Sequence, residues 1–466
     1  MPEIKTDAAV LGAGPAGYVA AIRLAQYGKK VVVVEEDNLG GTCLNVGCIP
    51  SKAMISAGHF LEQVRGAGEM GFTVAEPKLD LAKLVAWKES VVQRLTGGIG
   101  MLFKKRGIQV VKGRGVVTSP NTIEVQTADG VTRVSARDLV LASGSEPATL
   151  PGFEFGEHVW SSTEALAPEV LPKSLLVVGG GYIGMELGIF YAHMGTQVTV
   201  VEALDSILPG TDPELTKVVA RKAKKAGIKI QTKTFAKEWK KKGKGVEVVL
   251  EHGGETKTLT CDRILMTVGR RPRFEGIGLE NIGLKTVKPG FLEVNAQRQT
   301  KVPHVYAIGD LAGNPMLAHK GSAEGLAAAA AIAAKPGAAY DVKVVPAVIF
   351  TDPEIAYVGL TEKEAKEQGF KVKVGKFNFG ANGRALSLRA AEGFIKVVAD
   401  AEDDVILGVQ MVGPEVTELI AEATLAIEAG LTAEDVALTV HAHPTLPETF
   451  MEACEDVHGL AVHAAK

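Results

Sequence analysis

The chain has 466 residues, 46% hydrophobic and 23% charged, with a formal net charge of −3. That length holds several cores, and the near-neutral charge gives no general attraction to nucleic acid or to an anionic membrane. Four cysteines are too few for an extracellular disulfide framework, and no signal-peptide pattern is read before the first apolar run, so the expectation is a soluble cytoplasmic protein.

Taken in chain order, the first element is a nucleotide cradle. Asp7–Glu36 reads DAAVLGAGPAGYVAAIRLAQYGKKVVVVEE: a strand run, the glycines Gly12, Gly14 and Gly17, an amphipathic helix, and a β-branched run ending on Glu35. The unit recurs without a gap at Ser174–Ala203, SLLVVGGGYIGMELGIFYAHMGTQVTVVEA, with Gly179, Gly181, Gly184 and Glu202 in the same places. In such a unit the first glycine makes the tight turn and the second lets backbone approach a pyrophosphate. The third brings helix and strand together, and the acid accepts hydrogen bonds from a ribose diol. A 2′-phosphate would be repelled by Glu202, and Ala203-Leu204-Asp205 offers no arginine, so the second cradle reads as NAD rather than NADP.

Just beyond the first cradle lies GGTCLNVGCIPSK, residues 40–52, with Cys43 and Cys48 five apart. A structural staple, half of a metal site and a redox disulfide are the three readings. A reducing compartment weakens the staple, and Cys261 and Cys454 lack neighbours at zinc spacing. In one regular helix the two Cα atoms would stand about 8–9 Å apart, beyond the roughly 7 Å a disulfide spans. Gly47 and Pro50 are the candidates for the necessary distortion. Two cradles imply two dinucleotides, and a flavin exchanges electrons with both a disulfide and a nicotinamide. The pair beside cradle one therefore makes that cradle FAD and the other NAD, with no metal.

Further along, Lys237–Gly245, KEWKKKGKG, reads as a solvated loop rather than an RNA contact. Ile264–Val268 and Tyr306–Ile308 read as short strands, with Gly309-Asp310 following the second. Leu326–Ala334 is an apolar run of nine residues, too short to cross a bilayer. The last quarter mixes strands (Lys343–Phe350, Phe394–Ala399, Ile406–Met411) with helices (Glu362–Gln368, Pro414–Gly430), as an α+β unit does. It carries no nucleotide motif but does contain His443-Pro444, with Glu448 placed to orient the imidazole; His441 is a rival for any catalytic role.

These motifs resemble the class I pyridine nucleotide-disulfide oxidoreductases: GGTCLNVGCIPSK their redox signature, YAIGD at Tyr306–Asp310 a flavin motif, and HAHPTLPE at His441–Glu448 their acid/base signature. Leu141–Pro147 and Thr267–Pro272 resemble the exits from the two nucleotide domains. The resemblance implies an α/β fold with two Rossmann-like domains, one for FAD and one for NAD, plus a C-terminal α+β dimerisation domain. The divisions are 1–148 and 273–344 for FAD, 149–272 for NAD, and 345–466 for dimerisation. It places FAD against Gly12, Gly14, Pro15, Ala16, Gly17, Glu35, Glu36, Gly41, Thr42, Lys52, Gly115, Ser143, Gly144, Asp310 and Met316-Leu317-Ala318-His319. NAD falls to Gly179, Gly181, Tyr182, Ile183, Gly184, Glu186, Glu202 and Gly269. It further implies a Lys52–Glu186 ion pair near the flavin and a cis His443-Pro444 bond. Cys43 is then the exchanging sulfur, Cys48 the one nearer the flavin, and His443 with Glu448 the base delivered from the other subunit of a homodimer. The nearest members oxidise dihydrolipoyl groups with NAD⁺. Their partners are the lipoyl domain of an E2 protein or a glycine-cleavage H-type protein, and the peripheral subunit-binding domain of E2. The alternative is an NADH-dependent reductase of a small-molecule disulfide.

Overall fold

The computed structural model describes residues 1–287 and 290–464. Its first sheet grows from the apolar runs of the first cradle. Val31–Glu35 has four consecutive valines buried on both faces, and it runs parallel to Glu3–Leu11 with Ala8 opposite Val31. Continuous burial of that kind marks a strand covered on both sides. Gly130–Leu141 flanks Glu3–Leu11 on its other edge, and Val305–Ala307 returns late in the chain to pair with Leu139–Leu141. The Gly309-Asp310 step is thereby delivered beside the first cradle.

The alanine-rich stretch belongs to the helix Ala318–Ile332, which packs on the helix Pro15–Gln26. Its small residues serve close approach: a Cβ on Gly325 would stand 2.6 Å from Ala16 O, and one on Gly321 3.1 Å from Ala16 Cβ. Among the described residues no helix is long and apolar enough to cross a membrane.

The second cradle builds a five-stranded parallel sheet in the order Lys229–Gln231, Gln197–Val201, Ser174–Val178, Arg263–Met266, Val159–Trp160. The basic run departs from expectation. Thr234–Lys242 is an edge strand, not a loop, and pairs antiparallel with Gly245–His252. Trp239 donates from its indole N–H to Gly152 O, while Lys240 and Lys237 pair with Glu247 and Glu251 of the neighbouring strand. Cross-strand carboxylates thus neutralise a charge run that looks solvated when read alone. Between the two sheets runs a ribbon in which Ser145–Pro147 pairs with Arg270–Pro272.

The C-terminal unit is an antiparallel sheet in the order Ala347–Ile349, Glu354–Gly359, Ile406–Gly413, Phe394–Asp400, Val372–Asn378. The helices Val416–Ala429 and Glu448–Val457 cover it. The strand expected over Lys343–Phe350 is reduced to Ala347–Ile349, because Pro346 has no N–H to give a ladder. This unit is locked to the domain of the second cradle by a charge cluster in which Lys396 and Asp212 are buried. Lys396 pairs with Asp212, the N-cap of the helix Pro213–Lys225, and with Glu214 at 2.8 Å, while Lys376 reaches Glu214 at 2.6 Å. Buried charges persist only when paired in this way.

Candidate active site

The cysteines straddle a helix break. The helix Gly41–Val46 ends, Gly47 turns the chain, and Cys48 opens the helix Cys48–Arg65. A Cβ on Gly47 would lie 2.8 Å from Thr42 O and 3.3 Å from Cys43 Cα, so only glycine fits. Pro50, the other candidate for distortion, distorts nothing. It is buried in the first turn of the second helix, where a missing N–H costs no hydrogen bond.

Both thiols are free, and they are hydrogen-bonded to each other. That bond separates their acidities. The hydrogen bond from Cys43, opposed by burial and aided by the Lys52 ammonium, lowers the Cys48 thiol from 9.0 to about 7. The same bond, then burial, drives Cys43 far above its ordinary value. Cys48 is therefore the thiolate and Cys43 the S–H that donates to it. The position of Cys48 at a helix N-terminus acts in the same direction. The rate of alkylation of the dithiol protein should accordingly rise with pH around 7 rather than 9, and Lys52→Met should move that rise upward. Mass-mapped iodoacetamide labelling of Cys48 against pH checks this; a midpoint near 9 in the unaltered protein would contradict it.

Lys52 lies one turn beyond Cys48 on the same helix. Its Nζ is 2.8 Å from Glu186 Oε2, on the helix Tyr182–His193, and Glu186 is buried. Glu186 Oε1 accepts from the backbone N–H of Phe350 at 2.8 Å, and the Phe350 ring lies 4.5 Å under the ammonium. One ion pair thus joins the first cradle, the second cradle and the C-terminal unit.

The glycines of the two cradles divide their work in the same way. At Gly12 (φ +102°) a Cβ would strike Ala142 O at 2.3 Å, and at Gly17 it would strike Gly12 O at 2.0 Å, so packing demands both. At Gly14 the nearest atom is 4.0 Å away, and at Gly181 nothing lies within 4 Å. Protein packing therefore does not require the middle glycine, and the space beside it is open to a ligand. Neither helix has a side-chain cap. The first bond inside the first helix is Tyr18 N–H to Gly14 O, so the amides of Ala16 and Gly17 are left for an anion. A cradle of this kind fits a dinucleotide pyrophosphate.

Glu35 and Glu202 do more than the sequence suggested. Glu35 accepts from the N–H groups of Ala13 and Asp37, and Glu202 from those of Gly180 (2.7 Å) and Leu204 (2.9 Å). Each acid holds its own glycine loop in shape and keeps lone pairs for a hydroxyl. Glu202→Ala removes both roles. At roughly 1.5–3 kcal/mol for a hydrogen bond to a charged group, NAD⁺ should bind about 10- to 100-fold more weakly. Calorimetric titration tests this; an unchanged affinity would contradict the assignment.

A cavity of about 520 Å³ runs from the first cradle to the cysteines. Gly12, Gly14, Pro15, Ala16, Glu35, Glu36, Gly41, Thr42, Gly115, Ser143, Gly144, Asp310, Met316, Leu317 and Ala318 line it, together with Cys43, Cys48, Lys52, Tyr182, Ile183 and Glu186. Gly17 is not in the wall, and His319 turns away to Pro346 O at 2.8 Å. Gly179, Gly181, Gly184, Glu202 and Gly269 also lie outside it, so of the second cradle only the start of its helix, from Tyr182 to Leu187, reaches this space. Two supports were not legible in sequence. Ser145 Oγ donates to Asp310 and accepts from Arg270, and the fully buried Glu324 accepts from Gly309 N–H and pairs with Arg298 and Lys320. A lone acid in an alanine-rich helix, four residues after a lysine, was the available signal for the second.

His443 stands apart from this cavity. Its side chain is 80% exposed, and Nδ1 is 2.9 Å from Glu448 Oε1. Glu448 Oε2 accepts from Thr445 N–H at 2.6 Å. Burial acts against the ionised Glu448, but the Thr445 and His443 hydrogen bonds prevail and hold its carboxyl below the ordinary range. A carboxylate fixed in this way keeps the proton on Nδ1 and leaves Nε2 free to accept one. The His443-Pro444 bond is cis. His441 is no competitor: Nδ1 faces Thr439 O at 2.8 Å and Nε2 faces Glu422 Oε1 at 2.9 Å, so neither nitrogen is free.

Comparison with known proteins places this arrangement. Residues 6–325 match the family described as pyridine nucleotide-disulphide oxidoreductase, and residues 345–454 match its dimerisation domain. The chain is 49% identical over 460 residues to a dihydrolipoyl dehydrogenase of Geobacillus stearothermophilus, covering 99% of this chain and 98% of that one. It is 50% identical to the dihydrolipoyl dehydrogenase of Thermus scotoductus, with 98% of each chain covered. The crystal structure of LpdA from Mycobacterium tuberculosis superimposes with a TM-score of 0.91 at 27% identity, covering 98% of this chain and 100% of that chain.

Proposed function

The chain belongs to the pyridine nucleotide-disulphide oxidoreductase family, and from that premise we propose that it acts as a dihydrolipoyl dehydrogenase, oxidising protein-bound dihydrolipoyl groups with NAD⁺. The observation that carries this reading is the placement of Cys43 and Cys48, on either side of a helix break and beside the Lys52–Glu186 pair, in the wall of a cavity that both cradles reach. Its cofactors are FAD and NAD. FAD, held by the first cradle with Asp310, supplies a two-electron carrier between disulfide and nicotinamide.

The chain's own residues handle sulfur and protons. In the oxidised protein Cys43 and Cys48 are joined. His443 Nε2 takes a proton from the substrate dithiol, and the resulting thiolate attacks Cys43 Sγ, since the thiolate is the nucleophile. The Cys43–Cys48 bond breaks, and its electron pair leaves on Cys48, the sulfur whose thiolate Lys52 stabilises. The second substrate sulfur then attacks the mixed disulfide. Lipoyl disulfide departs, Cys43 leaves carrying the first proton, returned by His443, and His443 in exchange takes the proton of the second substrate thiol and releases it to solvent. The Glu186 carboxylate, neutralised by Lys52 and held by Phe350, keeps the cavity free of an unpaired charge.

The protein forms a homodimer through its C-terminal dimerisation domain. In the proposed assembly the partner's His443 serves the cysteines, which fits the exposure of that ring and its separation from its own chain's cavity. The proposed division is 1–148 with 273–344 for FAD, 149–272 for NAD and 345–466 for the interface. The protein partners are a lipoyl domain of E2 or of a glycine-cleavage H-type protein, and the peripheral subunit-binding domain of E2, in the cytoplasm. Mixing purified protein with NAD⁺ and dihydrolipoamide should raise NADH absorbance. No NADH from that mixture, alongside brisk NADH consumption with a small disulfide, would replace this reading with a reductase.

A further inference from the structure

We propose that Glu422 and His441 are positioning residues for His443, tying the strap that carries the base to the helix Val416–Ala429. The proposal rests on the base role given to His443 above. Glu448 fixes the rotation of the His443 ring, but it does not fix where the backbone beneath that ring lies. From Thr439 to Leu446 the chain is neither helix nor strand, yet it presents an almost fully exposed catalytic side chain. Such a segment holds one position only if both its flanks are pinned.

Downstream the pin is Asn382, whose buried amide donates to Thr445 O at 2.9 Å and to Thr449 Oγ1 at 3.0 Å. Upstream it is His441. That side chain is only 5% exposed, against 80% for His443 two residues on, and both its nitrogens point at oxygen acceptors. A histidine used this way is a bracket: one nitrogen braces its own turn at Thr439 O, and the other grips the carboxylate of Glu422. The helix bearing Glu422 is itself fixed. It packs on the strands Glu354–Gly359 and Ile406–Gly413, and at its start Thr417 N–H and Oγ1 both donate to Glu354 Oε2, at 3.2 and 2.8 Å. Glu354 closes the segment that begins at Phe350, the residue holding Glu186. The strap is thereby referenced to the same framework as the Lys52–Glu186 pair.

Reacting groups must meet within a few tenths of an ångström, and a displacement of about 1 Å can cost on the order of 100-fold. Rapid mixing of the FAD-loaded dimer with dihydrolipoamide tests the proposal. Glu422→Ala should slow reduction of the cysteines about 10- to 100-fold, while reoxidation of the reduced protein by NAD⁺ keeps its rate. Glu422→Gln, which retains an oxygen acceptor, should recover most of the loss. In a His443→Gln background Glu422→Ala should add nothing, because a residue acting through another shows no separate effect once that other is gone. If Glu422→Ala does not yield folded dimer, His441→Phe fills the same buried space without an N–H and carries the same expectations. Equal losses in both half-reactions, no loss, or the same fold-loss in both backgrounds would overturn the proposal. If His443→Gln alone leaves cysteine reduction fast, the base reading fails and takes this proposal with it. Fast reduction in Glu422→Ala alone removes only the positioning role.

Discussion

Cys48→Ser is expected to keep its FAD and lose all dihydrolipoyl turnover. Serine cannot form the bond to Cys43, so the substrate thiolate has no disulfide to open and the first step has no leaving group. The fold has little reason to suffer. Cys48 is surrounded by protein but faces the open cavity, where small molecules reach it, and serine differs from it by a single atom. Serine keeps a hydroxyl oxygen but cannot carry the thiolate charge that helps to drive the Cys43 thiol upward, so Cys43 should label at lower pH than before. Flavin absorbance together with NADH formation gives the test; flavin retained with turnover intact would reject the sulfur chemistry.

The second large effect is on one half of the cycle only. His443→Gln should slow reduction of the cysteines by about 10²- to 10⁴-fold, the usual worth of a general base, and leave reoxidation by NAD⁺ nearly untouched. Glutamine keeps the size of the side chain and a contact to Glu448, but it cannot take a proton. The deficit should shrink above about pH 9, where a dithiol ionises without help. Stopped-flow measurement of each half-reaction against pH decides it. Equal losses in both halves, or a deficit that does not change with pH, would remove His443 from the proton path.

What the sequence made legible was what local backbone geometry requires. Glycines at 17 and 184 press on the Gly12 and Gly179 carbonyls of their own strand–turn–helix unit, so their spacing is readable from thirty residues, whereas those at 12 and 179 also meet Ala142 and Thr267 at the end of a strand far along the chain. The cysteine pair was readable for the same reason, although Gly47 alone supplies the break and Pro50 merely starts a helix. What escaped were supports between residues far apart in the chain. The Phe350 N–H that holds Glu186, the Glu324 carboxylate that holds Gly309, and the Glu422 grip on His441 each exist only once sheets and helices have packed. The basic run at Lys237–Lys242 shows the converse error. Its period-two character was masked because the neutralising Glu247 and Glu251 lie on the next strand, and only the pairing reveals them. The pattern around Val31–Val34 was unambiguous because every residue there is apolar. The C-terminal strand Val372–Asn378 was missed because Lys373, Gly375 and Lys376 interrupt its apolar residues, and Glu354–Gly359 because it is a short run confined between Pro353 and Gly359.

The most direct measurement is a thiol count across one reduction. Purified protein is treated with a thiol-blocking reagent, before and after anaerobic dihydrolipoamide without NAD⁺, and its peptides are weighed. Cys43 and Cys48 should be unlabelled at first and both labelled afterwards, while the buried Cys261 and Cys454 stay unchanged. Labels on Cys43 and Cys48 that do not respond to dihydrolipoamide, or a response confined to Cys261 or Cys454, would contradict it.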